Sequence, residues 1–330
     1  MTLVCENLLI NIILFIIGVT ILVKGSDWFV DAAAVLARRL GVPELVIGLT
    51  LVSIGTSLPE LASSLCAAFY GEADFVIGNI VGSNIANIAL ILGGGLLLGG
   101  GLNFSRRMIW RDALMLTALG FGLMVWFYCR KELSGTGVYG IGRLGGVVLL
   151  LLCASYSFML FKKDNSGTAA DPTPENATPV WSWQKAAGLM VLALIMIMLG
   201  AKLMVDTVVW GAEKMQINTL VISLTVVAIG TSLPELAVTI SGVLKKREDI
   251  ALGNIIGSGI YNILLIIGCC AAALPLVSDI NAMKSMLIMN AVTLLLWFFM
   301  LCGRKLYRWQ GALLLAVYVV FVLWSMFFVR

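Results

Sequence analysis

The sequence predicts an all-α membrane protein with ten transmembrane helices, arranged as two inverted-topology repeats of five, with helices 2 and 7 broken. Three observations lead to this prediction: the composition, the number of long apolar runs and a repeated motif. Of the 330 residues, 60% are hydrophobic and only 12% are charged, and the mean hydropathy is +1.02. Soluble domains carry about 25% charged and about 45–50% apolar residues, so this composition is typical of a bilayer-embedded chain.

Apolar runs long enough to cross the hydrocarbon core, about 20 residues each, recur along almost the whole chain. Helices rather than strands are expected in them, because a barrel would show short segments of alternating polarity. The ten predicted spans lie near residues 7–23, 42–69, 75–101, 108–128, 138–161, 186–210, 217–244, 249–276, 283–302 and 309–329.

The distribution of Lys and Arg indicates the orientation in the membrane. If the first helix enters from the outside, the inner loops hold fourteen of these residues and the outer loops hold six. The positive-inside rule then places both termini on the extracytoplasmic side. The inner set is Arg38, Arg39, Arg106, Arg107, Arg111, Lys162, Lys163, Lys185, Lys245, Lys246, Arg247, Arg304, Lys305 and Arg308.

A stretch of nine residues, IGTSLPELA, occurs at 54–62 and again at 229–237. At the same shift of 175, GNIVGSNIANIALILG (78–93) overlays GNIIGSGIYNILLIIG (253–268) with eleven of sixteen positions identical. Each half therefore has five helices, with motifs on its second and third. Because five is odd, the halves have opposite directions, which is typical of secondary transporters. We expect repeats at 1–161 and 185–330, joined by a polar cytoplasmic linker at 162–184.

Proline is the reason to expect broken helices within the repeated motif. Pro59 lacks an N–H group, and its ring clashes with the carbonyl of Gly55, four residues earlier. Pro234 is equivalent in the second half. Such backbone is tolerated at membrane depth only where it is buried in protein or lines a wet cavity. The carbonyls expected to be freed lie near Ser53, Gly55 and Thr56, and near Ala228 and Thr231.

Glu60 and Glu235 follow the prolines, with no Lys or Arg nearby on the same helices. An ionised side chain at this depth costs from about 2.5 to more than 10 kcal/mol and is usually functional. Two facing carboxylates would repel each other, and a bound cation removes that difficulty. The alternative is structural, because Ser57-x-x-Glu60 and Ser232-x-x-Glu235 match the capping box of a helix N-terminus.

The second motif adds polar side chains that are expected to face the glutamates. Residues four apart share a helical face, although small polar residues in membranes also serve to pack helices. The glycines at 78, 82, 253 and 257 form G-x-x-x-G pairs, which favour close packing. Asn79 and Asn254 are expected to satisfy local backbone groups. The candidate ligands on this motif are Ser83 with Asn87, and Ser258 with Asn262.

The resulting site contains only oxygen donors, and the chain has no histidine. Hard cations such as Ca²⁺ take about 6–8 oxygens, whereas transition metals prefer softer ligands. The two negative charges of the carboxylates neutralise either one Ca²⁺ or Na⁺ ions spread over neighbouring oxygens. They cannot neutralise Ca²⁺ and Na⁺ at the same time. The expected activity is obligatory cation exchange by a transporter, not an enzyme, with no cofactor, no nucleic acid and no obligate protein partner beyond the lipid bilayer.

Three other functions use the same residues differently. A proton/calcium antiporter would use the two acids as proton carriers. An intramembrane acid hydrolase would need a carboxylate dyad that activates water, and symmetric Ser/Thr/Pro surroundings fit a cation cage better. A passive channel is disfavoured, because a carboxylate cage would hold Ca²⁺ too tightly for fast conduction.

The paired GTSLPE motifs, with GNIVGSNIAN and GNIIGSGIYN, closely resemble the two alpha-repeats of the sodium/calcium exchanger family within the cation/Ca²⁺ exchanger superfamily. The match covers residues 41–94 and 216–269. It implies a ten-helix fold in which long helices 1 and 6, here at 8–39 and 185–215, slide across the other eight. The linker is short, as in prokaryotic members of the family, which lie in the plasma (inner) membrane. Position 262 is Asn, where some family members, including potassium-dependent ones, carry Asp, and this argues against K⁺ cotransport.

The resemblance also implies which residues bind each ion. Ca²⁺ would be bound by Glu60 and Glu235 with the carbonyls of Thr56 and Thr231. Na⁺ would be bound with the help of Ser57, Ser83, Ser232, Ser258 and the carbonyls of Ser53 and Ala228. The amides of Asn87 and Asn262 would complete the central cluster.

Overall fold

The computed structural model describes residues 7–134, 139–161, 181–214, 228–278 and 280–328, and these are almost entirely helical. Most of the predicted linker at 162–184, and the segment 215–227, lie outside the described residues. The helices are α1 (Leu8–Leu40), α2 in two arms (Glu44–Thr56 and Leu58–Phe69), α3 (Ala73–Gly99), α4 (Met108–Ala113 and Leu114–Ser134), α5 (Arg143–Phe161), α6 (Trp183–Lys214), α7 in two arms (Ala228–Thr231 and Leu233–Leu244), α8 (Glu248–Ala273), α9 (Ile280–Leu301) and α10 (Arg308–Phe328).

Seven helices within the described residues are long and apolar enough to cross a membrane, and α2 makes an eighth if its two arms form one span. Two shorter apolar helices, Leu233–Leu244 and Arg308–Trp324, are also present. Burial separates the helices into inner and outer ones. In α3 and α8, 72% and 83% of the apolar window is buried, against 22% in α1. The chain is therefore a multispanning membrane protein whose centre is built on α3 and α8.

The helices α1 and α6 are the longest, with 33 and 32 residues. At 1.5 Å per residue each is about 50 Å long, well beyond the roughly 30 Å hydrocarbon core. Hydropathy placed the first span at 7–23, and the helix continues to Leu40. It ends at Gly41, which has φ 66° and donates its N–H to the carbonyl of Arg38. Glycine adopts this left-handed conformation without steric cost, and Pro43 follows.

Helices α1 and α6 cross backbone to backbone at two glycines. A Cβ on Gly200 would lie 2.7 Å from both the Gly18 carbonyl oxygen and the Leu22 nitrogen, and one on Gly25 would lie 3.1 Å from the Ala193 carbonyl oxygen. With the 175-residue shift between the repeats, Gly18 is equivalent to Ala193 and Gly25 is equivalent to Gly200. The contact of Gly25 with Ala193 is therefore the counterpart, in the other half, of the contact of Gly200 with Gly18.

Close packing also joins the first arm of α2 to α8. A Cβ on Gly253 would lie 3.0 Å from the Gly48 backbone, and one on Gly257 would lie 2.2 Å from Ser53 Oγ. These contacts confirm close packing for the second G-x-x-x-G pair. No described residue lies within 4 Å of a Cβ on Gly78 or Gly82. The segment equivalent to the first arm, 223–227, lies outside the described residues.

Short strands and loops divide the ends of the helices into two groups. Strand β1 (Leu102–Asn103) pairs with β4 (Lys305–Leu306), and β2 (Tyr139–Ile141) pairs with β3 (Leu276–Ser278), both antiparallel. At the β1–β4 end, Asn103 N donates to Glu248 Oε2 over 2.8 Å. At the β2–β3 end, Ser278 Oγ donates to Asp74 Oδ1. Loops that the sequence predicts to be cytoplasmic therefore contact one another, and so do those predicted to lie outside.

A polar contact ties α1 to the second arm of α7. Lys245 Nζ lies 2.8 Å from Asp31 Oδ2, and Ser241 Oγ donates to Asp27 Oδ1 over 2.7 Å. In the other half, Asp206 occupies the position equivalent to Asp31 and pairs with Lys202 of its own helix at 2.8 Å. The residue equivalent to Lys245 in the first half is Tyr70, so the Lys245–Asp31 ion pair has no counterpart at the equivalent position.

We expect Gly200→Ala to lower the melting temperature of the detergent-solubilised protein by several degrees. The added methyl group would press against the backbone of α1, and overpacking of this kind costs about 1–3 kcal/mol. Gly188→Ala is the matched control, because it lies on the same helix and no described atom is within 4 Å of its Cβ. It should melt at the same or a slightly higher temperature, since Ala favours helix. Equal melting temperatures for the two variants would contradict the crossing.

Candidate functional site

Helices α2 and α7 are interrupted at equivalent serines. The two arms of α2 meet at an angle of 47°, with Ser57 between them at φ −86° and ψ 8°. Ser232 separates the arms of α7 with φ −91° and ψ 6°. Each second arm has its proline in the first turn, where the missing N–H costs no helical hydrogen bond. The predicted breaks in helices 2 and 7 are therefore present.

The prediction of a free carbonyl at Ser53 is wrong. Ser57 N donates to the Ser53 carbonyl oxygen over 3.0 Å, and Thr56 Oγ1 lies 3.3 Å from the same oxygen. Leu61 N then donates to the Ser57 carbonyl over 3.0 Å. The first arm keeps its last helical bond, so the interruption begins at Ser57 and not near Gly55. Proline acts here as the start of the second arm rather than as a kink inside one helix.

Each serine at a break contacts the glutamate of the other half. Ser57 Oγ donates to Glu235 Oε1 over 2.9 Å, and Ser232 Oγ donates to Glu60 Oε1 over 3.5 Å. Both glutamates are only 1% exposed. The two carboxylates therefore lie next to each other inside the protein and do not point toward lipid.

The capping-box alternative is wrong as an account of these serines. Neither Ser57 nor Ser232 makes a side-chain hydrogen bond that caps its own helix. Both hydroxyl groups are directed across the protein instead, because the opposite helix break lies close by. The glutamates still occupy the first turn of their arms, where the positive end of the helix dipole favours a negative charge.

Asn254 connects the two breaks through three hydrogen bonds. Its Oδ1 accepts from Thr56 Oγ1 over 3.0 Å, and its Nδ2 donates to Thr239 Oγ1 over 3.0 Å and to the Glu235 carbonyl over 3.3 Å. Asn79 in the first half donates in the same way to Ser64, the residue equivalent to Thr239, over 3.0 Å. Asn254 thus satisfies a backbone carbonyl, as its position predicts.

Asn87 and Asn262 lie where α3 and α8 widen into π-helical turns, Ala86–Leu92 and Asn262–Ile267. The first turn packs against the second arm of α7, which carries Glu235, and the second packs against the second arm of α2, which carries Glu60. Such turns occur frequently at functional sites. Each asparagine therefore lies on a turn that packs against the glutamate-bearing arm of the opposite half.

Five buried polar atoms at this site have no hydrogen-bond partner among the described residues. Buried groups of this kind are normally paired, and each exception requires an explanation. Four are acceptor oxygens, which suit a cation that protein donors leave uncovered. The atoms are Glu60 Oε2, Glu235 Oε2, Asn87 Oδ1, Asn262 Oδ1 and Ser258 Oγ.

The remaining predicted ligands are placed as follows. Ser83 and Ser258 are buried at 4% and 0% exposure. Thr231 is half-buried, and Ala228 begins the described part of the first arm of α7. No Lys or Arg within the described residues forms an ion pair with Glu60 or Glu235. The two carboxylates therefore have hydroxyl donors but no recorded counter-charge.

Sequence reasoning missed the π-helical turns and one buried amide, Asn84. Asn84 Oδ1 accepts from Asn262 Nδ2 over 3.0 Å. The signal for Asn84 was present, because the aligned motifs read GSN in the first half and GSG in the second. The π-helical turns have no comparable signal in the sequence.

The family model described as "Sodium/calcium exchanger protein" matches residues 10–162 and 185–327. The Sodium/calcium exchanger MaX1 of Methanosarcina acetivorans is 35% identical over 343 residues, which cover 95% of this chain and 97% of that protein. The Inner membrane protein YrbG of Escherichia coli is 35% identical over 270 residues and 79% of each chain. A solved structure of the sodium-calcium exchanger NCX_Mj superposes with a TM-score of 0.82 at 30% identity, covering 96% of this chain and 99% of that one.

We expect Ser57→Ala to destabilise the ion-free protein more than the protein in saturating Ca²⁺. The substitution removes a hydrogen bond to the Glu235 carboxylate, worth about 1.5–3 kcal/mol. A bound cation would stabilise the negative charge of that carboxylate in place of the lost hydroxyl. Melting curves in chelator and in Ca²⁺ measure the difference. Ser63→Ala is the control, because Ser63 lies on the same arm and bonds only the Glu60 carbonyl at 3.1 Å. An equal loss for Ser57→Ala with and without Ca²⁺ would be evidence against cation binding here.

Proposed function

Because the chain belongs to the sodium/calcium exchanger family, we propose that it is a secondary active antiporter that exchanges Na⁺ for Ca²⁺ across the plasma membrane. The observation that carries this proposal is the crossed pair of contacts, Ser57 with Glu235 and Ser232 with Glu60. These contacts bring two buried carboxylates to one place, and each carboxylate keeps one oxygen without a partner among the described residues. A divalent cation between them neutralises both charges.

The ligands in this proposal are those named from the sequence. Glu60 and Glu235 bind either ion, with the carbonyls of Thr56 and Thr231 for Ca²⁺. Hydroxyl oxygens around them serve mainly Na⁺, which needs less charge and takes neutral oxygens readily. The hydroxyl groups are those of Ser57, Ser83, Ser232 and Ser258, joined by the backbone carbonyl of Ala228, and the amides of Asn87 and Asn262 complete the central cluster. The unpartnered oxygens of both amides support this assignment.

Exchange follows from charge balance at one shared site. Two carboxylates in a low-dielectric interior are costly without a cation. The loaded protein, with either Ca²⁺ or Na⁺, is therefore favoured over the empty one when the site passes from one side to the other. The same carboxylates serve both loads in turn, so inward movement of one ion is coupled to outward movement of the other.

We further propose the ten-helix arrangement in two inverted repeats, 1–161 and 185–330, with both termini outside. The sorting of loop contacts into two groups supports it, since β1–β4 and β2–β3 each join loops of the same predicted side. The reciprocal crossing of α1 and α6 also supports it. A sliding motion of these two long helices across the others would expose the site alternately to each side.

We expect Na⁺-loaded vesicles that contain the protein to accumulate ⁴⁵Ca²⁺ when diluted into Na⁺-free buffer. Glu60→Gln or Glu235→Gln should reduce this uptake to the level of empty vesicles, because one charge no longer balances Ca²⁺. Glu72→Gln is the control, since Glu72 is exposed in the turn between α2 and α3, and its uptake should equal that of the unaltered protein.

Separate ion gradients distinguish this proposal from the proton/calcium alternative. Uptake that is driven equally by a proton gradient without internal Na⁺ would favour a proton antiporter and overturn Na⁺ coupling. A requirement for K⁺ together with Na⁺ would contradict the K⁺ independence that Asn262 indicates.

The proposed orientation is tested with single cysteines introduced into a cysteine-free variant. We expect Glu72→Cys to react with a membrane-impermeant maleimide added to intact cells, because its loop lies outside. Ser105→Cys, which is exposed next to β1, should react only after the membrane is opened. The reverse pattern would invert the assignment, and labelling of both from outside would refute it.

A further inference from the structure

Asn84 is a buried asparagine beside the proposed ion site. It lies on α3, one residue after Ser83, and is only 1% exposed. Its Oδ1 accepts from Asn262 Nδ2 over 3.0 Å, and its Nδ2 donates to the Gly259 carbonyl over 3.3 Å. The amide of Asn84 therefore stands between a main-chain carbonyl of α8 and the side chain of a proposed ligand on the same helix.

These contacts fix the direction of both amides. A carbonyl oxygen only accepts hydrogen bonds, so the NH₂ group of Asn84 must face Gly259. The oxygen of Asn84 then faces Asn262, and Asn262 must donate a hydrogen bond to it from its own NH₂ group. The oxygen of Asn262 is left on the other side, where it has no partner among the described residues. Reversing both amides would set the oxygen of Asn84 against the Gly259 carbonyl oxygen, which is repulsive.

Orientation matters for a cation ligand, because only the oxygen of an amide attracts a positive ion. A freely turning Asn262 would present NH₂ hydrogens to the site for part of the time, and the apparent affinity falls with the fraction of protein in the competent form. Asn87 is the residue of the first half that is equivalent to Asn262. The position that would orient it in the same way is Gly259, the equivalent of Asn84, and glycine has no side chain to do so. The two amides are therefore controlled differently.

We propose that Asn84 is a positioning residue that holds the Asn262 carbonyl oxygen toward the ion site and thereby raises its cation affinity. The inference rests on the proposed function, because it takes Asn262 as an ion ligand. It adds a residue that touches no ion and acts only through Asn262. It also makes the amide of the second half the better organised of the two.

The test is a double-mutant cycle on the K0.5 for Ca²⁺, measured both in ⁴⁵Ca²⁺ flux and by calorimetric Ca²⁺ titration of purified protein. We expect Asn84→Ala to raise K0.5 by about threefold to tenfold, the range of one neutral hydrogen bond, with little change in maximal rate. In the Asn262→Ala background the same substitution should change K0.5 by less than about twofold, because no amide remains to be oriented. Asn84→Ser should weaken binding in the same direction, since a hydroxyl can donate or accept and sets no direction.

Asn290→Ala is the matched control. Asn290 is also a fully buried amide, but it lies on α9, and its Nδ2 contacts Met124 Sδ at 3.7 Å. Its K0.5 should stay within about twofold of the unaltered protein, whatever its melting temperature. An unchanged K0.5 for both Asn84 variants, or an equal effect of Asn84→Ala in the Asn262→Ala background, would overturn the proposal. Absence of Na⁺-dependent uptake by the unaltered protein would instead refute the proposed function, and Ca²⁺ titration would still decide the role of Asn84.

Discussion

Two carboxylates removed from water, with no Lys or Arg paired to them among the described residues, impose the constraint on which the rest of this structure depends. Glu60 and Glu235 are each 1% exposed, and within the described residues each accepts a hydrogen bond from the serine of the other half. Hydroxyl donors offset only part of the loss of hydration, so two ionised carboxylates are costly here without a positive charge beside them. The broken helices and the close glycine contacts keep these two groups together in the protein interior.

The sequence was sufficient for whatever depends on residue type and spacing alone. Proline next to a mid-span acid predicted both helix breaks, and the duplicated motif predicted that Glu60 and Glu235 occupy equivalent places. It was not sufficient for contacts that depend on which helices face each other. The spacing of Ser57 and Glu60 fits a local cap, yet Ser57 bonds Glu235, because packing brings the opposite break within reach. The prediction of a free Ser53 carbonyl was wrong because the first arm completes its last helical turn, in which Ser57 N donates to that carbonyl.

Differences between the halves deserve the same weight as their likeness. Identical letters supply the carboxylates, whereas Asn84 and Lys245 have no counterpart, being replaced by Gly259 and Tyr70 at the equivalent positions. Lys245 joins α1 to α7 through Asp31 at 2.8 Å. In the proposed exchange cycle, a molecule that is symmetric in every contact would give its two end states equal energy. Unmatched contacts such as these would favour one of those states over the other.

The crossed serine–glutamate contacts also bear on the origin of the chain. Each pair joins residues of different halves, so a single half would hold one serine and one glutamate without their partners. Two copies of one half, related by a two-fold axis, would supply all four side chains. A repeat of this kind, with contacts that only two copies can complete, is what duplication of a shorter sequence would produce, and positions such as Asn84 and Gly259 now differ between the copies.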